Sequence, residues 1–188
     1  DYLNNEFFNK DRLTLLIKFI ILYCISITEI EMEKAKESLE EFYLYYDSLS
    51  TLYDIREKSI LVCRLIADKY NDDILEILKS IEERLIFVID IKNDLYSNDV
   101  IVKFDIEKCS YISFFDGLGY MFFKEESNTF FNMDVWLGNI IIKNLTNTYV
   151  RNEYDFISKF LTIRLLNKIV DYLNNEYKLL IFNVIYKL

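Results

Sequence analysis

The chain contains no proline and only three glycines among its 188 residues. The stretch Tyr53–Glu107 contains neither residue. Because glycine and proline are the commonest helix breakers, this stretch is expected to form long helices joined by loops that depend on Asn, Asp and Ser. No catalytic motif lies inside it, so we expect the function to depend on how long helices present charge.

Helical periodicity is clearest over residues 74–92, where apolar residues recur every three or four positions. Residues 29–41 are charged and suit an exposed helix, and further helices are predicted at about 55–70, 105–115 and 154–175. The apolar stripe of the 74–92 helix consists of Ile74, Ile77, Leu78, Ile81, Leu85 and Val88.

Three short apolar runs have the composition of β-strands. They are Phe42–Tyr46 (FYLYY), Val100–Phe104 (VIVKF) and Leu179–Phe182 (LLIF), and they are rich in aromatic and branched side chains. The last suits a buried, parallel strand. The chain is therefore predicted to be an α/β protein that is predominantly helical.

Several kinds of active site are excluded by composition. The chain has no histidine, which removes Ser–His and Cys–His catalytic pairs and histidine-based zinc sites. It has no G-x-x-x-x-G-K-[ST] phosphate-binding loop. We therefore predict that the protein is not an enzyme.

The cysteines and the N-terminal apolar run both indicate a cytoplasmic protein. Cys24, Cys63 and Cys109 form no C-x-x-C pair and are interpreted as buried thiols in a reducing compartment. The run Leu13–Ile27 is too short to span a membrane and carries Lys18 near its middle, so it predicts a buried element and no membrane contact.

A group of carboxylates surrounds the end of the 74–92 helix and the turn that follows it. Hard cations such as Ca²⁺ bind several carboxylate and carbonyl oxygens, and a turn can bring them together. The pattern fits either solvated turn carboxylates or a divalent-ion site. The residues are Asp90, Asp94, Asp99, Asp105 and Glu107.

Basic residues recur along the same predicted helices. They fit either ordinary surface solvation or one charged face that contacts backbone phosphates without reading sequence. The formal net charge of −9 disfavours nucleic-acid binding unless the charges are segregated. The residues are Arg56, Lys58, Arg64, Lys69, Lys79, Arg84 and Lys92.

Five segments occur in the order found in one known family. They are FYLYYDSLSTLYDIREKSIL (42–61), LIADKYND (65–72), ERLIF (83–87), VIVKFDIE (100–107) and DYLNNEYKLLIFN (171–183). In these segments the chain resembles the Csn-type accessory protein of type II-A CRISPR systems, an antiviral defense in which that protein serves spacer acquisition.

The resemblance implies a small α/β head, related to P-loop ATPases but without the phosphate loop, and a long helical leg. Residues 1–54 and 151–188 would form the head and 55–150 the leg, with 124–150 as an insertion. Compared with the family, the chain would lack the first strand and the part that follows LLIF.

The resemblance also implies a homotetrameric ring that binds double-stranded DNA ends without sequence specificity. It would carry structural Ca²⁺ at the acidic residues around the turn, contact DNA through the basic residues of the leg, and act beside the CRISPR integration and effector nucleases.

An alternative is an acidic, helical protein-interaction module without DNA binding, such as an immunity protein or a viral Bcl-2-like inhibitor. The acidic charge and the richness in Tyr and Phe suit such a protein. The segments TLYDIREKSIL (51–61) and FFDGLGYMFF (114–123) resemble viral helical bundles of that kind.

Overall fold

The structure is a computed structural model that describes residues 8–48, 51–91, 96–123, 132–147 and 153–186. Within these ranges the regular elements are all helical, and no described residue lies in a β-strand. The helices are α1 (Lys10–Phe19, continued by a π-helical segment, Ile20–Ile25), α2 (Glu29–Glu37), α3 (Leu39–Ser48), α4 (Thr51–Lys69), α5 (Asn71–Asp90), α6 (Asn98–Phe123), α7 (Met133–Val135, continued by a π-helical segment, Trp136–Ile142), α8 (Lys143–Thr146), α9 (Glu153–Ile169, continued by a 3₁₀ turn, Val170–Tyr172) and α10 (Asn175–Ile185).

Helix α6 lies at the centre of the fold. Every residue from 108 to 118 is buried, so this part of the helix has no solvent-facing side. It packs along α9 and also contacts α4, α5 and the π-helical segment that follows α1. The ring of Phe115 meets Trp136 edge-on at 4.6 Å between ring centres, which joins α6 to the second π-helical segment.

Polar side chains buried between α6 and its neighbours are paired with one another. The Lys108 ammonium lies 3.0 Å from an oxygen of Asp155 on α9 and 3.4 Å from an oxygen of Asp105 on its own helix. The Asn144 amide donates to the Thr162 hydroxyl at 2.8 Å. Unpaired buried polar groups would be costly, so these contacts favour one alignment of α9 against α6 and α8.

The predicted α/β fold is wrong, because the three runs assigned as strands lie in helices α3, α6 and α10. In α3, Phe42 and Tyr46 are both buried and lie four residues apart, whereas Leu44 is exposed. In α10, Ile181 is buried and its neighbours on both sides are exposed. An apolar run of four or five residues is compatible with both the helical period and the strand period. In this protein such runs are helical because one helical face packs against the core.

The helices predicted at 55–70, 74–92 and 154–175 correspond to α4, α5 and α9 with its 3₁₀ extension. The predicted stripe of α5 is buried along its whole length. Residues from the predicted head and leg contribute to one hydrophobic core, and part of the proposed insertion belongs to it through Trp136 and Leu137. The rest of that insertion, 124–131 and 148–150, lies outside the described residues.

No single helix among the described residues is long and apolar enough to cross a membrane. One pair bent by 41°, Lys10–Ile25 with Glu29–Glu37, satisfies the length and composition criteria only when the two helices are taken together.

Glu82 is a carboxylate buried on the inner side of α5. Burial raises its pKa to about 7 from an ordinary value of 4.5, while Lys79 and the Trp136 indole act to lower it. The folded protein therefore retains the Glu82 proton over a pH range in which the unfolded chain releases it. Stability from this group is present below about pH 4.5 and is lost as the pH rises through about 7.

Replacing Glu82 with Gln removes the charge that burial disfavours. We expect Glu82→Gln to raise the Tm above pH 7 by roughly 3 °C or more, and to flatten the fall in Tm between pH 4.5 and 7 relative to the parent protein. The measurement is thermal unfolding followed by circular dichroism across this range. Glu33→Gln, at an exposed site of α2, is the matched control. Parallel pH profiles for the parent and Glu82→Gln would contradict this assignment.

Candidate functional site

A cleft of about 300 Å³ opens between α4, α6 and α9. Its described lining holds more basic than acidic side chains, although the whole chain is acidic. Apolar contact surface is supplied by Ile60, Leu61 and the ring of Tyr46. The charged lining residues are Arg56, Lys58, Arg64, Arg164 and Lys168, with Glu57 and Asp116. We call this region the cationic cleft.

Arg56 forms the inner end of the cationic cleft and is almost fully buried. Its guanidinium binds both carboxylate oxygens of Glu31 on α2, one of them at 2.6 Å. It also donates to the backbone carbonyls of Ile25 at 3.1 Å and Ser26 at 2.8 Å. Arg56 therefore satisfies carbonyls at the end of the first helix, which would otherwise lack helical partners.

Glu31 is also held in place by contacts at the start of its own helix, α2. Thr28 is the N-cap of α2, and its backbone N–H donates to Glu31 Oε2 at 2.8 Å. The Thr28 hydroxyl donates to the same oxygen at 2.9 Å and accepts from the Glu31 backbone N–H at 3.3 Å. This capping box fixes the carboxylate that receives Arg56, so the pair couples the start of α2 to α4.

Tyr46 of α3 lies between two arginines of the cleft. Its ring centre is 4.7 Å from the Arg56 guanidinium carbon and 5.2 Å from that of Arg164. Its hydroxyl shares a 2.5 Å hydrogen bond with Ser113 on α6. Burial raises the pKa of the Tyr46 phenol, although Arg56 and Ser113 act to lower it. The residue is thus a neutral ring that positions two cations.

Asp116 of α6 is a nearly buried carboxylate at the floor of the cleft. One of its oxygens lies 3.0 Å from the Lys168 ammonium, and the other lies 3.4 Å from Arg164 Nη2. Lys168 also donates to the backbone carbonyl of Asp116 at 2.7 Å. Burial raises the pKa of the Asp116 carboxyl, and Lys168 acts to lower it. Two cations of α9 therefore converge on one anion.

Gly117 explains why α4 can approach α6 so closely here. A Cβ atom at this position would lie 2.8 Å from Ile60 Cγ1, inside van der Waals contact. The backbone carbonyl of Gly117 accepts a 2.7 Å hydrogen bond from Arg64 Nη2. The absent side chain therefore lets α4 lie close to α6 at the cleft.

The structure brings three of the basic residues predicted to face DNA to this one cleft: Arg56, Lys58 and Arg64. Arg56 is turned inward to Glu31, which argues against a role in contacting phosphates on the surface. Lys69 and Lys79 are exposed elsewhere, and Lys92 lies outside the described residues.

Arg84, also predicted to face DNA, pairs with a predicted metal ligand. Its Nε and Nη2 donate to the two oxygens of Glu107 at 2.8 and 2.9 Å. The Tyr111 hydroxyl donates to Glu107 as well, at 2.7 Å. This bidentate pair links α5 to α6 and occupies both carboxylate oxygens.

The described carboxylates of the predicted metal site do not converge on one point. Asp90 pairs with Lys143, Asp105 is buried beside Lys108, and Asp99 is exposed in the first turn of α6. Asp94 lies outside the described residues. Within the described part of the chain, no three Asp, Glu, Cys or His side chains are placed to share a metal ion. Calcium binding stays a prediction.

Four charged residues of the cleft could not be identified from the sequence: Glu57, Asp116, Arg164 and Lys168. A weak signal for two of them exists, because Arg164 and Lys168 are four residues apart and share one face of a predicted helix. Asp116 lies within an apolar aromatic run, where a lone carboxylate indicates a buried partner.

Comparisons of the chain with models of protein families, with curated proteins and with solved structures find no match.

The ion pair between Arg56 and Glu31 generates a stability prediction. We expect Glu31→Gln to lower the free energy of unfolding by about 3–5 kcal/mol, because it leaves a buried guanidinium without its counter-charge. Urea denaturation measures the change. Glu37→Gln, on the exposed side of α2, is the control and should change little. An equal, small effect of both substitutions would contradict the structural role given to this pair.

Proposed function

We propose that this chain is a non-catalytic, helical protein-interaction module, and that a partner protein docks at the cationic cleft. The observation that carries the proposal is a basic cleft between three helices in a chain with a net charge of −9. Concentrating positive charge in a concave site attracts acidic partners to that site, while the acidic remainder of the surface repels them.

The apolar part of the cleft supports a protein partner. Leu61 lines the cleft and leaves 51% of its surface exposed, and Leu65, one turn further along α4, is also exposed. Interfaces generally combine an apolar anchor with a few oriented polar groups. The expected partner segment therefore carries an acidic side chain close to an apolar one.

The helical fold favours this module over the DNA-binding ring. The resemblance that implies the ring also implies an α/β head, and the described residues are helical instead. The segments 51–61 and 114–123 resemble viral helical bundles, which belong to the class of helical interaction modules. Calcium, tetramer formation and the binding of DNA ends were implied by the resemblance and stay predictions.

A peptide display experiment tests the proposal. We expect selection against the immobilised protein to enrich peptides with Asp or Glu beside an apolar residue, and we expect Lys58→Glu to abolish this enrichment by reversing a charge of the cleft. Lys103→Glu, at an exposed site of α6, changes the net charge equally and should retain the enrichment.

A gel-shift assay distinguishes the docking of a partner protein from the binding of DNA ends. With linear duplex DNA at low salt and with Ca²⁺ present, we expect no complex. A shift that is lost on adding salt would overturn the proposal in favour of phosphate-backbone binding. Selection that is unchanged by Lys58→Glu would overturn the assignment of the docking site.

A further inference from the structure

Helix α10 presents an apolar face to solvent. Within this helix only Ile181 is buried, where α10 packs on α8 and on the π-helical segment after α7. On the other side, Leu179 and Phe182 expose 63% and 65% of their surface, and Tyr186, the C-cap residue, exposes 84%. We call these three residues the outer face of α10.

The outer face of α10 is a continuous ridge along two turns of helix. Its members are spaced by three and four residues, so they line up on one side of the helix, away from Ile181. The rings of Phe182 and Tyr186 lie nearly parallel, at 18° and with 6.3 Å between their centres. The same spacing forms the contact seam where two helices pack against each other.

The absence of charge distinguishes this face from the other exposed apolar residues. Residues 179–186 (LLIFNVIY) contain no charged side chain. On α1, by contrast, the exposed Leu15 and Phe19 lie beside the exposed Lys18. Two copies of a chain with a net charge of −9 repel each other. A contact between copies is therefore favoured at a surface where neither copy places a charge against the other.

The exposed area on α10 is sufficient for a contact between two copies. Leu180 and Ile185 flank the outer face and expose 45% and 43% of their surface. Because a large side chain offers roughly 150–250 Å², the outer face and its flanks present roughly 500–600 Å² of apolar surface on each copy. Two copies would cover roughly 1,000–1,200 Å² in total, which reaches the lower end of the range for specific interfaces.

We propose that the outer face of α10 binds the same face of a second copy, with the two α10 helices antiparallel. Under two-fold symmetry Phe182 of one copy then meets Phe182 of the other near the axis, and Leu179 meets Tyr186. The antiparallel direction keeps the two Glu176 carboxylates, in the first turn of each helix, at opposite ends of the contact. This interface is separate from the cationic cleft and does not depend on the proposed function.

Sedimentation equilibrium of the intact protein tests this arrangement, over a concentration series that spans the micromolar range expected for an interface of this size. We expect the mass to rise with concentration from that of one chain to that of two. Phe182→Asp should weaken association by roughly a hundredfold or more, because it places two carboxylates face to face. Phe182→Lys should do the same with two ammonium groups. An equimolar mixture of these variants should regain the two-chain mass, because a carboxylate then faces an ammonium group.

Leu15→Asp is the matched control, because it places the same charge on the exposed apolar residues of α1 and should leave association unchanged. Circular dichroism verifies that each variant keeps its helices, as expected for substitutions at exposed sites. A one-chain mass at every concentration would overturn the inference and assign the outer face of α10 to a different partner. Association that is lost in Leu15→Asp and kept in Phe182→Asp would place the contact on α1. A mixture that fails to associate would overturn the two-fold arrangement about Phe182.

Discussion

One connected set of charged and aromatic contacts joins five helices, and the position of the cationic cleft depends on it. Glu31 of α2 receives Arg56 of α4, Arg56 lies against Tyr46 of α3, and Tyr46 also contacts Arg164 of α9. Arg164 in turn pairs with Asp116 of α6. Because each member is buried or half-buried, removing one weakens the contacts between helices that lie far apart in the sequence.

This arrangement separates the structural cations from the ones that can bind a ligand. Arg56 lies inside the core, with its donors shared between a carboxylate and two carbonyls. Lys58 and Lys168 are on the open side. The acidic character of the whole chain therefore coexists with a local basic site, as charge segregation requires. Arg84 and Glu107 are structural in the same sense, because they pair with each other and link α5 to α6.

The long helices could be predicted from sequence, and the site could be predicted only in part. Residues 74–92 repeat an apolar pattern over several turns, so α5 was assigned correctly, whereas FYLYY and LLIF are too short to distinguish a helix from a strand. Arg56, Lys58 and Arg64 were identified as basic residues of interest. Their neighbours Arg164 and Lys168 lie far along the chain, and only the packing of α9 against α6 brings them together. Local patterns carry no information on which helices pack.

The most direct test of an external anion site is diffraction from crystals that contain tungstate, a tetrahedral dianion with a strong anomalous signal. We expect an anomalous peak in the cationic cleft, between the described basic side chains of α4 and α9. Peaks found only elsewhere on the molecule, with the cleft open to solvent and free of tungstate, would contradict the assignment of this cleft as the binding site.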